Sequence, residues 1–225
     1  MNVLLFGATG MVGQGILREC LLDPGVNQIL SVVRAPTAQQ DPKLHQLAHA
    51  DFFNYSTVEP ELTGYDACFF SLGVTSAGKS EPEYTHLTYD LTLAAAKTLA
   101  RLNPNMTFIY VSGAGTDSTE RGRTMWARVK GRTENDLLKL PFKAAYMFRP
   151  GFIQPLHGIT SKTDVYRILY VITTPLFPIL KALFPKHITT TEEIGRAMLN
   201  VSRRGYPKPI LEPIDIIQAA STPTG

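Results

Sequence analysis

The chain has 225 residues, enough for one α/β domain with a substantial core and short for two. At 44% hydrophobic and 18% charged, its composition is that of an ordinary globular protein and excludes a low-complexity chain. The net charge is only +3 and the longest basic cluster is Arg203-Arg204, which excludes a nucleic-acid footprint.

The N-terminus, MNVLLFGATG, has no basic segment before its apolar run, and glycines interrupt that run early. It reads as mature structure rather than a signal peptide. VLLF at 3–6 reads as the first strand and MVGQGILRECLL at 11–22 as the first helix. Between them GATGMVG sets Gly7, Gly10 and Gly13 where each has a task. Gly7 allows the tight turn, Gly10 lets the backbone approach a pyrophosphate, and Gly13 permits close helix–strand packing. The helix N-terminus then offers free N–H groups to the anion. The loop predicts a dinucleotide site.

The second strand, ILSVV at 29–33, ends at Arg34, 21 residues after Gly13. An acidic residue there would bind the ribose 2′-hydroxyl of NAD, whereas an arginine can pair with a 2′-phosphate. NADP(H) is therefore expected over NAD(H). Further buried strands are ACFFSL at 67–72, FIYVS at 108–112 and AAYMF at 144–148, nearly continuous in hydrophobicity. Helical patterns at 84–102 and 125–140 lie between them. The alternation predicts α/β architecture, a doubly wound parallel sheet with a small helical C-terminal part.

The last third differs. The segment 165–184 is strongly apolar but broken by Pro175 and Pro178 and marked by Arg167 and Lys181. It reads as two short helices packed on the sheet's end, with membrane contact the alternative. TTTEEIGRAMLNVSRR at 189–204 reads as a helix capped by Thr191, and PILEP at 209–213 as a final short strand. One domain is expected over 1–225, with 155–225 forming most of the substrate and lid region. Cys20 and Cys68 form no CxxC pair, and the five histidines are scattered. Buried free thiols, no metal site and a reduced, cytoplasmic compartment follow.

Taken in order, GATGMVG after strand one, ADFF at the third strand, FFSLG at the fourth, YVSGAG at the fifth, VKGRTE on a helix and FRPGFI at the sixth resemble the short-chain dehydrogenase/reductase superfamily. The glycine spacing is similar to its atypical and extended, epimerase-like members. The likeness is nearest to the small NADPH-binding group containing the Tat-interacting oxidoreductase-like protein, whose tail TTTEEIGRAMLNVSRRG also resembles. The resemblance implies an NAD(P)-binding Rossmann fold. It implies that Thr9, Gly10, Met11 and Val12 hold the pyrophosphate, and that Asp51 and the backbone of Phe52 meet the adenine. Leu72 and Gly73 would line the path to the nicotinamide ribose, whose hydroxyls Lys130 would bind. Pro150, Gly151 and Phe152 would sit against the nicotinamide, with the backbone near Ile153 available to its carboxamide.

That chemistry uses a tyrosine four residues before the lysine, on the same helix face, as proton donor. Here Trp126 stands there, and an indole N–H does not give up its proton at neutral pH. Ser112 and Lys130 remain as catalytic candidates, with Thr116 the alternative hydroxyl. Tyr84, Tyr89, Tyr166 or a water held by Ser112 and Lys130 are the alternative acids. Two functions stay open. One is an NADP-dependent oxidoreductase acting on an unknown, flat or hydrophobic carbonyl or quinone. The other is a non-catalytic NADPH-binding redox sensor or partner-binding module.

Overall fold

Runs rich in β-branched and aromatic residues, apolar on both faces, can be covered only in the middle of a layered structure. The computed structural model describes residues 1–159 and 187–222. Its strands are β1 (Asn2–Phe6), β2 (Gln28–Val33), β3 (Leu44–Ala48), β4 (Ala67–Phe70), β5 (Thr107–Val111), β6 (Ala144–Phe148), β7 (Phe152–Gln154), β8 (Ile188–Thr190) and β9 (Ile210–Leu211). Seven of them pair in parallel in the order β3-β2-β1-β4-β5-β6-β9, and β7 and β8 form a separate parallel pair. The helices are α1 (Met11–Leu22), α2 (Glu81–Thr85), α3 (Leu91–Leu102), α4 (Met125–Leu137), α5 (Thr191–Arg204) and α6 (Pro213–Ser221). A π turn, His86–Asp90, joins α2 to α3. The doubly wound α/β class expected from the alternation is the observed one.

Side-chain alternation along β1 divides the core in two. Val3 and Leu5 pack with Ile16 of α1 and with Ile194, Ala197 and Met198 of α5. Leu4 and Phe6 face the other way, toward Phe70, Phe108 and Leu99 of α3. Phe6 is fully buried and stacks on Phe70 with ring centroids 5.1 Å apart. Burying one such ring contributes about 1.5–3 kcal/mol.

Two sequence expectations need correction. The third strand is Leu44–Ala48, and ADFF follows it as a turn in which the Asp51 Oδ1 accepts from the Phe53 N–H at 2.9 Å. LHQLA lies at the sheet edge with no residue fully covered, so it lacks the hydrophobic run that marks the inner strands. The N-cap of α5 is Thr190, in a capping box with Glu193, while the Thr191 hydroxyl accepts from the Leu156 N–H at 3.1 Å. Within 187–222, α5 and α6 cover the sheet and β9 extends it beside β6. The apolar segment 165–184 and Tyr166 lie outside the described residues. Among those residues no helix is long and apolar enough to cross a membrane.

Asn103, which ends α3, is 5% exposed and ties the loop before β4 to the helix. Its Oδ1 accepts from the Gly64 and Tyr65 N–H groups at 2.8 and 3.1 Å, and its Nδ2 donates to the Leu62 carbonyl at 2.9 Å. Asn103→Ala strands those groups, and each unmet buried group costs about 1–3 kcal/mol. A urea unfolding curve should therefore show a loss of at least about 2 kcal/mol.

The order reverses between β1 and β4. The connections leaving these two strands run to opposite faces and leave a crevice at their C-terminal ends, where ligands bind open α/β sheets.

Candidate functional site

The crevice is floored by the glycine loop. Gly7 has φ +87°, in the left-handed region, and a Cβ there would lie 2.7 Å from the Leu72 nitrogen. At Gly13 a Cβ would lie 2.0 Å from the Gly7 carbonyl oxygen, so α1 meets the end of β1 at backbone contact. Gly10 is the N-cap of α1 and offers no side-chain cap, and the first turn of α1 has no acidic residue. Its first N–H groups have no helical acceptor, which gives the loop an anion-binding end.

Two cavities meet at this loop. One, of about 650 Å³, is lined by Gly7, Thr9, Gly10, Met11, Val12, Arg34, Leu72, Gly73, Ser112, Lys130, Pro150, Gly151 and Ile153. It also takes in Ser71, Val74, Thr75, Val111, Gly113 and Ala114, which sequence reasoning missed. Their common signal is that they sit at or just beyond the C-terminal ends of β4 and β5. The other cavity, of about 560 Å³, shares Gly7, Thr9, Arg34 and Leu72 and adds Val32, Val33, Ala35, Pro36, Thr37 and Phe52. Arg34 is exposed and lines both.

Three expected residues, Asp51, Phe152 and Gly13, stand apart from these linings. The Asp51 carboxylate is used in its own turn, and Phe152 is 39% exposed at the start of β7. Gly13 serves packing, against Gly7.

Among the described residues, Lys130 and Arg34 are the only ionisable side chains lining the larger cavity. Lys130 is half-buried on α4, and its Nζ donates to the Ser112 carbonyl at 2.5 Å. Burial pulls the amine down to about 8, against the opposing charge of Glu134 one turn along the helix. The Ser112 hydroxyl is committed elsewhere: it donates to Glu134 Oε1 at 2.5 Å and lies 3.2 Å from the Phe148 carbonyl oxygen. The Ser112 hydroxyl is thus engaged behind the cavity. Its side chain serves a buried network, and its carbonyl serves Lys130. Thr116 does no better, since its hydroxyl donates to the Gly113 carbonyl at 2.7 Å.

The alternative acids also separate from the site. Tyr84 is 2% exposed, in the core. The Tyr89 hydroxyl donates to Asp136 at 2.7 Å, with the Arg132 guanidinium 4.2 Å above its ring. No tyrosine lines the larger cavity among the described residues. Trp126 is half-buried at the first turn of α4 and packs toward Gly115, whose added Cβ would lie 3.6 Å from the indole Cη2. It borders the loop carrying Gly113 and Ala114 rather than the cavity itself.

No protein-family model matches the chain. It is 26% identical to Protein FMP52-2, mitochondrial, of Scheffersomyces stipitis over 233 residues, 97% of this chain and 94% of that protein. It is 32% identical to Protein fmp52, mitochondrial, of Emericella nidulans over 159 residues, 68% of this chain and 66% of that protein. Its fold is that of short-chain dehydrogenase/reductase and epimerase-like Rossmann proteins. The Bordetella bronchiseptica enzyme WbmF in complex with NAD+ superposes with a TM-score of 0.66 at 16% identity, covering 96% of this chain and 76% of that one. An oxidoreductase of the short-chain dehydrogenase/reductase family from Burkholderia thailandensis superposes with a TM-score of 0.67 at 15% identity, covering 97% and 92%. The mitochondrial names of the relatives overturn the cytoplasmic expectation. Two buried free thiols indicate unpaired cysteines, and that does not distinguish one reducing compartment from another.

Proposed function

We propose that this chain, sharing its fold with the short-chain dehydrogenases, binds a nicotinamide dinucleotide across the two cavities and reduces an apolar carbonyl or quinone. The observation that carries the reading is the cradle. Gly7, Gly10 and Gly13 bring bare backbone and an uncapped helix N-terminus to the crevice at the sheet's switch point. Gly7 and Gly13 also serve the turn and the packing, but no close contact requires glycine at Gly10, whose bare backbone suits the approach of a pyrophosphate.

Thr9, Gly10, Met11 and Val12 would hold the pyrophosphate, with Phe52 and Leu72 flanking the adenosine cavity. NADP(H) is favoured because Arg34, exposed at the end of β2, lines both cavities, and among the described residues neither lining contains a carboxylate that would repel a 2′-phosphate. When bound, the nicotinamide supplies the hydride. The protein's share is to seat the acceptor and deliver a proton. Val74, Ala114 and Ile153 offer an apolar wall suited to a flat, uncharged acceptor. With Trp126 in the place of the usual tyrosine, Lys130 is the proton source, directly or through a water. Its amine, brought down to about 8, is charged yet able to donate near neutral pH.

A non-catalytic NADPH sensor is the second reading, favoured by the lack of a phenol in the described cavity lining. One experiment separates them. Trp126 is the sole tryptophan, so quenching of its emission on titration with NADPH and then NADH reports binding directly. A screen of quinones and hydrophobic aldehydes follows. The proposal expects tighter binding of NADPH than NADH and turnover of at least one acceptor class. Binding without turnover selects the sensor, and no binding of either nucleotide removes both readings.

A further inference from the structure

Behind the cavity lies a buried ion pair that takes no direct part in this chemistry. Glu134 is fully buried and Arg149 is 8% exposed. The Arg149 Nε lies 3.1 Å from each Glu134 carboxylate oxygen, and its Nη2 donates to the same group. Its remaining donors reach the Ser118 hydroxyl at 2.6 Å and Glu212 at 3.2 Å. Such a pair is weak evidence for stability, because desolvating two charges offsets most of their attraction.

What the pair does provide is placement. Glu134 follows Lys130 by four residues on α4, so the two side chains leave the same helix face, about 5–6 Å apart at Cβ. Ser112 is held at two points. Its hydroxyl donates to Glu134, and its carbonyl accepts from Lys130, both at 2.5 Å. Arg149 fixes the carboxylate, the carboxylate fixes Ser112, and Ser112 fixes the amine. We infer that Glu134 is a positioning residue for Lys130, supplying the counter-charge and the tether that hold the amine in the cavity as an ammonium. The inference rests on Lys130 being the proton donor.

The ionised groups around the amine are few. Glu134 lies on its own helix, Arg149 on the strand end behind, and Glu212 is screened beyond Arg149. Among the described residues, Arg34 is the one other ionisable lining residue of the cavity. Glu134 is thus the negative charge that opposes the burial penalty on Lys130.

The test is competitive acetylation of the whole chain across a pH series, with peptide mass spectrometry reading Lys130 against exposed Lys139. Lys130 in the native protein should show a midpoint of about 8. Glu134→Gln should lower that midpoint by about one pH unit, the scale expected when a neighbouring opposite charge is removed. A folded Glu134→Gln protein with an unchanged midpoint overturns the inference. Should that variant fail to fold, with Arg149 left uncompensated, Glu134→Asp keeps the charge but draws it back. It should lower the midpoint by a smaller amount, and no fall overturns the inference equally. The failures are distinguishable. A shifted midpoint in a protein that turns over no acceptor defeats the proposed function alone. A fixed midpoint in an active enzyme defeats the role of Glu134 alone.

Discussion

Lys130→Met is expected to lower turnover of NADPH by about 10²–10⁴-fold, the range set by losing one positioned acid, without destabilising the protein at pH 7. The first half follows from the cavity lining, in which Lys130 and Arg34 are the only ionisable side chains among the described residues. The second half follows from burial. The amine titrates near 8 in the folded protein against an ordinary 10.5. Below about 8 it is charged in both folded and unfolded chains, and the folded state carries the full cost of desolvating it. Between about 8 and 10.5 the unfolded chain binds more protons, so stability rises with pH across that window. Methionine fills similar space with no charge, so the substitution removes the cost along with the slope. Urea midpoints at pH 7 and pH 9.5 measure the slope, which should be smaller in the variant. Reduction needs the ammonium form, so wild-type turnover should fall as pH rises through about 8. Wild-type turnover in Lys130→Met would end the assignment of the proton donor.

Gly13→Ala and Gly10→Ala, three residues apart in one loop, should behave oppositely. A Cβ on Gly13 would lie 2.0 Å from the Gly7 oxygen and 2.6 Å from its carbonyl carbon. Backbone cannot rotate away as a side chain can, so α1 must shift off the end of β1. Helix propensity gives back about 1 kcal/mol for glycine to alanine, while overpacking of this kind costs about 1–3 kcal/mol or more. Net destabilisation of about 2 kcal/mol is expected, which lowers the melting temperature by about 4–8 °C in a chain of this size.

Gly10 has φ −81° and ψ 165°, open to any residue, and its added Cβ would lie 3.4 Å from the Gly7 oxygen. Gly10→Ala should fold as the parent does, but its methyl occupies the approach of the pyrophosphate. It should lose the thermal stabilisation that NADPH confers. Melting curves with and without NADPH make both comparisons at once. A Gly10→Ala protein stabilised by NADPH as strongly as the parent would argue that the ligand does not cross this loop.

The wall of the larger cavity shows how far local information reaches. Gly7, Thr9, Gly10, Met11 and Val12 line it because loop, strand end and helix start are contiguous in the chain. Val74, Thr75 and Ala114 also line it, yet nothing in their own surroundings marks them. They belong to the site only because β4 and β5 end beside β1. Asp51 illustrates the opposite case, a residue in a suggestive place whose carboxylate closes its own turn.

By itself the sequence determined the parallel α/β class, the five inner strands, the glycine loop with its helix, Arg34 at the end of β2, and the tryptophan four residues before Lys130. Each is written in hydrophobic periodicity or in a run of a few residues, so a short window carries it. Only the tertiary structure decided that the Ser112 hydroxyl serves Glu134, that Tyr84 and Tyr89 are engaged elsewhere, and that α5, β9 and α6 complete the core. It alone joined Arg149 to Glu134. The partner of a buried polar group is chosen by elements that meet across the sheet, many residues apart. No local pattern encodes which acceptor will be within hydrogen-bond reach once the layers close.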